Sequence, residues 1–326
     1  MAKALISQYV GLDLVVFTAH GADAFGFLQS QLTQDVDRLK SGKAALAGYC
    51  TAQGRLLANM VLAPTTGEPD SVTGIVQREI LPNFLKRLRM FVLRSKVTLE
   101  STTRQVSGIV VETAKLAHAS QALGYTLPQA VWDTVNSDDG IWIAAPSADI
   151  TLARFWWVAD ESQVAALSTR LGVDFVTFES DDVWAVQDLQ AGLPWINDMT
   201  VDLFIPQTIN LDLTEGVSFT KGCYPGQEVV ARAHYRGTVK RRMQLAHLDG
   251  ALLPIKPGED VFCPADGPNP CGRVVNVGFD GEKTWLLFEA PMKLTQTDES
   301  GALRVSTADG PKLAIADLPY PITTER

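Results

Sequence analysis

Apolar positions along the first 240 residues alternate between strand and helix spacing, and the switches mark out elements. Residues 11–20, rich in β-branched and aromatic side chains, predict a first strand. From Gly21-Ala22-Asp23 a helix is expected, because Phe25, Leu28, Leu32 and Val36 recur at helical spacing and Asp23 falls where the helix dipole favours an acid. Gly54 punctuates two apolar stretches and predicts a hairpin. A helix opening at Pro82 carries Phe84, Leu85, Leu88, Phe91 and Val92 on one face, and a strand over 96–100 follows. Residues 106–178 repeat the order, with a strand at 106–111, a helix at 114–123, strands at 140–145 and 152–159, a helix at 161–171 and a strand at 173–178. Asp181 to Gly192 predicts one more helix with acids at its start and a glycine stop. Beyond Arg242 short strands take over, and Asp280-Gly281 marks a hairpin between 274–279 and 284–288. The expected fold is α+β, with two ferredoxin-like lobes and a small C-terminal β-barrel. The lobes are assigned to residues 1–105 and 106–240, with interleaving allowed, and the barrel to 241–326.

With 326 residues, 46% of them hydrophobic, the chain can bury large cores in two or three lobes. The opening residues carry no apolar run long enough for a signal peptide before Asp13, and no stretch approaches the roughly 18 apolar residues of a membrane span. A soluble, cytoplasmic protein with no membrane partner is expected. Cys50, Cys223, Cys263 and Cys271 are scattered without a Cys-x-x-Cys pair, so reduced thiols are expected rather than a disulfide framework, a zinc knuckle or a cluster cradle, and no metal is expected. The net charge of −9 argues against a generally nucleic-acid-binding surface. It is unevenly distributed: residues 78–96 and 221–242 each carry +5, which leaves −19 on the rest. Those two segments either meet as one positive site for a polyglutamyl tail, a phosphate or RNA, or are solvated faces of separate elements.

The densest chemistry lies at 219–242. Gly222, Pro225 and Gly226 surround Cys223 and bend the backbone there, and Lys221 could stabilise a thiolate by charge. Cys223 therefore reads either as a reactive thiol at the tip of a turn or as a buried small hydrophobe. The aromatic run Arg154-Phe155-Trp156-Trp157 invites ligand stacking but reads first as core. Gln207 and Asn210 are amides that either read a ligand edge or hold their own loop.

The string Lys221-Gly222-Cys223-Tyr224-Pro225-Gly226-Gln227-Glu228, with Val230-Ala231-Arg232 and Arg236-Gly237 after it, resembles the signature of the YgfZ family. Those proteins bind folate, are linked to iron-sulfur cluster maintenance and tRNA modification, and are similar to the T protein of the glycine cleavage system, a folate-dependent aminomethyltransferase. The helix opening at Gly21, Pro206-Gln207 with Asn210-Leu211, and Asp317-Leu318-Pro319-Tyr320 also match, so the resemblance runs from about residue 11 to the end. It implies a three-lobed, T-protein-like architecture with a folate pocket where the lobes meet, and tetrahydrofolate or another reduced folate as ligand. Cys223, with Lys221, is implied as the functional thiol, and Gly222, Tyr224, Gly226, Gln227, Glu228, Arg232 and Arg236 as its motif. Trp184 matches a folate-binding tryptophan, and the second such tryptophan falls on Leu14. Gln207 and Asn210 join the same site. The implied partners are iron-sulfur proteins or their assembly machinery, and tRNA or tRNA-modifying enzymes. The implied function is that of a folate-binding accessory factor, with a one-carbon transferase or a direct tRNA binder as alternatives. Against the transferase, the run Gly54–Met60 that matches the T-protein aspartate holds Asn59 and no carboxylate.

Overall fold

The computed structural model describes residues 5–65, 70–172, 176–235, 239–250, 252–295 and 303–322. The chain forms two compact units, one of Met1–Gln31, Asp35–Ala47 and Met60–Trp184, the other of Leu32–Gln34, Gly48–Asn59 and Ala185–Arg326.

The first unit is built on two sheets. Its elements are β1 (Ile6–Tyr9), β2 (Leu14–His20), α1 (Ala24–Gln29), β3 (Ala45–Cys50), β4 (Leu56–Pro64), β5 (Ser71–Gln77), α2 (Leu81–Arg89), β6 (Thr98–Ser101), β7 (Gln105–Glu112), α3 (Leu116–Leu123), β8 (Thr134–Ser137), β9 (Gly140–Ala145), β10 (Leu152–Ala159), α4 (Glu161–Leu171), β11 (Val176–Glu179) and α5 (Asp181–Gln190). The turn-proximal ends of β3 and β4, and α5 from Ala185 onward, count with the second unit.

One sheet runs β3-β4-β5-β2-β6 and the other β11-β1-β7-β10-β9-β8. Each holds the fourth-first-third-second strand order of a ferredoxin-like lobe with strands added. In the first sheet β6, β2, β5 and β4 supply that order and β3 extends the edge. In the second, β11, β7, β10 and β9 supply it, β8 extends the edge, and β1 slips in parallel to β11 (Ile6↔Val176) and antiparallel to β7 (Ser7↔Val110). The core of this second lobe gathers Phe155, Trp157, Trp142 and Ile109 under α3 and α4. The run 154–157 is thus buried, and its alternation splits it: Phe155 and Trp157 enter this core, whereas Arg154 and Trp156 face Trp184.

Several expected elements shift. The first strand is β1, and the expected strand at 11–20 begins at Leu14. α1 stops at Gln29, where the Ser30 hydroxyl donates to the Phe27 carbonyl; Leu32 bridges to Tyr49, and Val36 opens a separate 3-10 turn capped by Asp35. β5 went unpredicted. α2 ends at Arg89 and closes in tight turns (Met90 N to Arg87 O, 3.2 Å), so Phe91 is exposed rather than part of the buried face.

The second unit adds α6 (Gln227–Tyr235), β12 (Arg241–Asp249), β13 (Asp260–Phe262), β14 (Pro270–Phe279), β15 (Lys283–Pro291), α7 (Met292–Thr295), β16 (Arg304–Val305) and β17 (Ala314–Ala316). Its strands form an antiparallel sheet in the order β16-β13-β14-β15-β12-β17. Register shifts at Val261/Phe262 and Val274/Asn276 bend the strands, and the sheet curls into a half-barrel. The expected hairpin joins β14 and β15, with Asp280 Oδ1 accepting from the backbone N–H of Glu282 (2.8 Å) and Lys283 (2.7 Å). Cys263 and Cys271 are buried in the core of this sheet.

Candidate functional site

The cysteine turn lies in the second unit and is seated on the tip of the β3–β4 hairpin. That tip is closed by backbone bonds from Thr51 N to Arg55 O (2.8 Å) and Gly54 N to Thr51 O (2.9 Å). Gly226 packs against it with φ +81°; a Cβ there would stand 2.4 Å from the Thr51 carbonyl oxygen and 2.7 Å from Gly54 Cα. Any side chain there would force the turn or the hairpin tip to shift. α6 starts directly behind, a helix the sequence reading missed because the glycines and proline before it and Gly237 after it mask its spacing. Glu228 occupies its first turn, the end that the helix dipole makes favourable for an acid.

Lys221 holds the other flank. Its ammonium donates to the carbonyls of Leu32 (2.6 Å) and Gln34 (3.2 Å) and stands 5.2 Å from the centre of the Tyr224 ring. Tyr224 is buried, and burial raises its hydroxyl pKa. Between these anchors Gly222 and Cys223 are exposed. The other three cysteines are buried. Burial pushes the Cys50 thiol up to about 12 and the Cys271 thiol up to about 11, which keeps both protonated at neutral pH. Gln227 and Arg232 lie on α6, with Arg232 3.4 Å from Glu228 in an exposed pair, and Arg236 lies outside the described residues.

Gln207 and Asn210 belong to the same unit. Gln207 Nε2 donates to Val230 O of α6 (2.6 Å), while its Oε1 is buried without a hydrogen-bond partner among the described residues. Asn210, at φ +59°, donates to Met243 O (2.9 Å) and accepts from Met243 N (3.2 Å). Of the basic segment 221–242, Arg242 forms a buried two-pronged pair with Asp212 (2.6 and 3.0 Å), and Arg241 grips Glu289 and the Cys271 carbonyl.

Trp184 and Leu14 belong to the first unit. Leu14 opens β2 opposite Gln77 and is buried. Trp184 is 2% exposed. The Arg154 guanidinium covers its ring at 4.0 Å, and Gly108 lies so close that a Cβ would meet the indole at 2.2 Å. Its Nε1–H is buried without a hydrogen-bond partner among the described residues.

A cavity of about 530 Å³ in the second unit escaped the sequence reading altogether. Arg55, Arg241, Arg273, Asp260 and Glu289 line it, from stretches far apart in sequence, so no local spacing announces it. Among the described residues no group of three or more His, Cys, Asp or Glu is arranged to hold a metal, and no helix is long and apolar enough to cross a membrane.

No protein-family model matches the chain. The tRNA-modifying protein YgfZ of Yersinia enterocolitica is 34% identical over 233 residues, covering 71% of this chain and 68% of that protein. The tRNA-modifying protein YgfZ of Yersinia pestis is 33% identical over 250 residues, covering 76% and 73%. The chain belongs to the YgfZ family. An uncharacterized protein of Haemophilus influenzae is similarly related, at 34% over 241 residues. Among solved structures, the glycine cleavage system aminomethyltransferase T from Bartonella henselae superposes over 97% of this chain and 86% of its own, with a TM-score of 0.73 and 15% identity. This chain therefore has the T-protein fold.

Proposed function

We propose that the chain is a folate-binding accessory factor of tRNA modification that supports iron-sulfur enzymes, with Cys223 as its functional thiol and a reduced folate as its ligand. The observation that carries this reading is the contrast among the cysteines: three are buried, and Cys223 is held out on a turn fixed at both flanks, by Lys221 and by Gly226. The link to tRNA modification rests on the YgfZ relatives that bear that name. The proposal sets the protein in the cytoplasm, where thiols stay reduced.

A tetrahydrofolate would supply a reduced pterin whose ring atoms include hydrogen-bond acceptors. The residues fit such a group through the Trp184 Nε1–H, a buried donor that an acceptor on the pterin edge would satisfy. Because Arg154 already covers the indole face, edge hydrogen bonding is favoured over stacking. One-carbon transfer is the weaker reading. Where the T-protein aspartate is expected stands Asn59, an amide that does not titrate and whose two ends are bonded to Pro194 O (2.7 Å) and Ile196 N (2.7 Å).

Calorimetric titration of tetrahydrofolate into wild type, Trp184→Phe and Cys223→Ala tests the proposal. Wild type and Cys223→Ala should bind alike, and Trp184→Phe should bind up to about tenfold more weakly for one lost hydrogen bond. A wild-type protein that does not bind the folate would overturn the ligand assignment.

A further inference from the structure

We propose that the second unit carries a docking path for single-stranded RNA, with a backbone phosphate held in the arginine-lined cavity and a base stacked at Tyr235. This rests on the reading of the chain as a factor of tRNA modification, and it names where RNA would be gripped. The arginines of the cavity are unequally engaged. Arg241 is locked to Glu289 and to the Cys271 carbonyl. Arg55 uses Nη1 on the carbonyls of Leu203 (2.8 Å) and Asp202 (3.4 Å), and its Nε and Nη2 donate to no atom among the described residues. Arg273 faces Asp260 only at 3.6 Å and is 48% exposed. Three guanidinium groups against two carboxylates leave the cavity with one net positive charge, and the loosely held forks of Arg55 and Arg273 match the geometry of a phosphate. About 530 Å³ suffices for a phosphate with its sugar.

Val229 on the cavity wall belongs to α6, and Tyr235 stands six residues further along that helix, about 9 Å at 1.5 Å per residue. Phe219 and His234 stack there at 3.6 Å and 10°, and Tyr235, edge-on to both, is 66% exposed. An exposed aromatic ring braced by two others is a platform for a base, because every base has a π face. Arg232 lies between cavity and platform, in a solvent-exposed pair with Glu228 that costs little to break, and can reach a second phosphate. A polyglutamyl chain shares the negative charge of a phosphate backbone and so suits the cavity, but it leaves the platform without a role.

Fluorescence anisotropy with a labelled single-stranded RNA of about ten nucleotides tests the proposal, using wild type, Tyr235→Ala and Arg273→Ala, with thermal unfolding to confirm that each is folded. Tyr235→Ala should weaken binding about 5- to 100-fold, and Arg273→Ala should lower the slope of log affinity against log salt by about 0.7. Absence of binding by wild type at low salt, or unchanged binding in both variants, would overturn it. Both variants should titrate with tetrahydrofolate as wild type does. A wild-type protein that binds tetrahydrofolate but not the RNA would sink this inference alone and leave the proposed function standing.

Discussion

The four thiols of this chain differ in exposure, and their chemistry should differ accordingly. In the native protein iodoacetamide should modify Cys223 alone, with the other three reacting only after denaturation; peptide mass spectrometry reads this directly, and equal labelling of Cys50 in the native state would contradict it. Cys50 also ties stability to pH. Burial keeps its proton in the folded state up to about 12, whereas the unfolded chain releases it near the ordinary value of 9.0, so stability should fall as pH rises through that window. Urea midpoints should drop across it in wild type and drop less in Cys50→Ala. Arg242 offers a third residue-scale prediction: Arg242→Met leaves the buried Asp212 carboxylate unpaired and should cost about 3–5 kcal/mol in urea unfolding. The sequence showed Arg241 and Arg242 only as charge in a basic segment. Their carboxylate partners lie 48 and 30 residues away, which a running count of charge does not register.

Among the elements, what was legible followed local spacing and turn chemistry. The β14–β15 hairpin, α4, α5 and the strands β7, β9 and β10 stand close to where their patterns put them. What failed was non-local. β1 is four residues long and owes its existence to partners from 99 to 170 residues on, β5 is sandwiched between β2 and β4, and the apolar stripe that continues the spacing of α1 feeds two other contacts. The cysteine turn was legible as a turn, but its seat on the hairpin was not, and that seat makes a prediction. Gly226→Ala combines a strained φ with a clash against the Thr51 carbonyl, and should destabilise the protein by about 1–3 kcal/mol. Its Cys223 alkylation rate should change as well, since the turn must move; a variant with wild-type stability and wild-type labelling would show that the seat does not hold the thiol.

For the whole molecule, the α+β class and the T-protein-like architecture were readable because two lobes share one grammar and because motifs from residue 11 onward match the YgfZ family. The relation to the T protein stands in the fold at 15% identity, where few side chains carry it. The central claim is that Cys223 acts as the functional thiol of a factor supporting iron-sulfur-dependent tRNA modification. The most direct measurement is the content of iron-sulfur-dependent modified nucleosides, by mass spectrometry of tRNA, in cells lacking this protein and supplied with wild type or Cys223→Ser. Wild type should restore the modifications, and Cys223→Ser, folded and still binding folate, should not. Full restoration by Cys223→Ser would contradict the account.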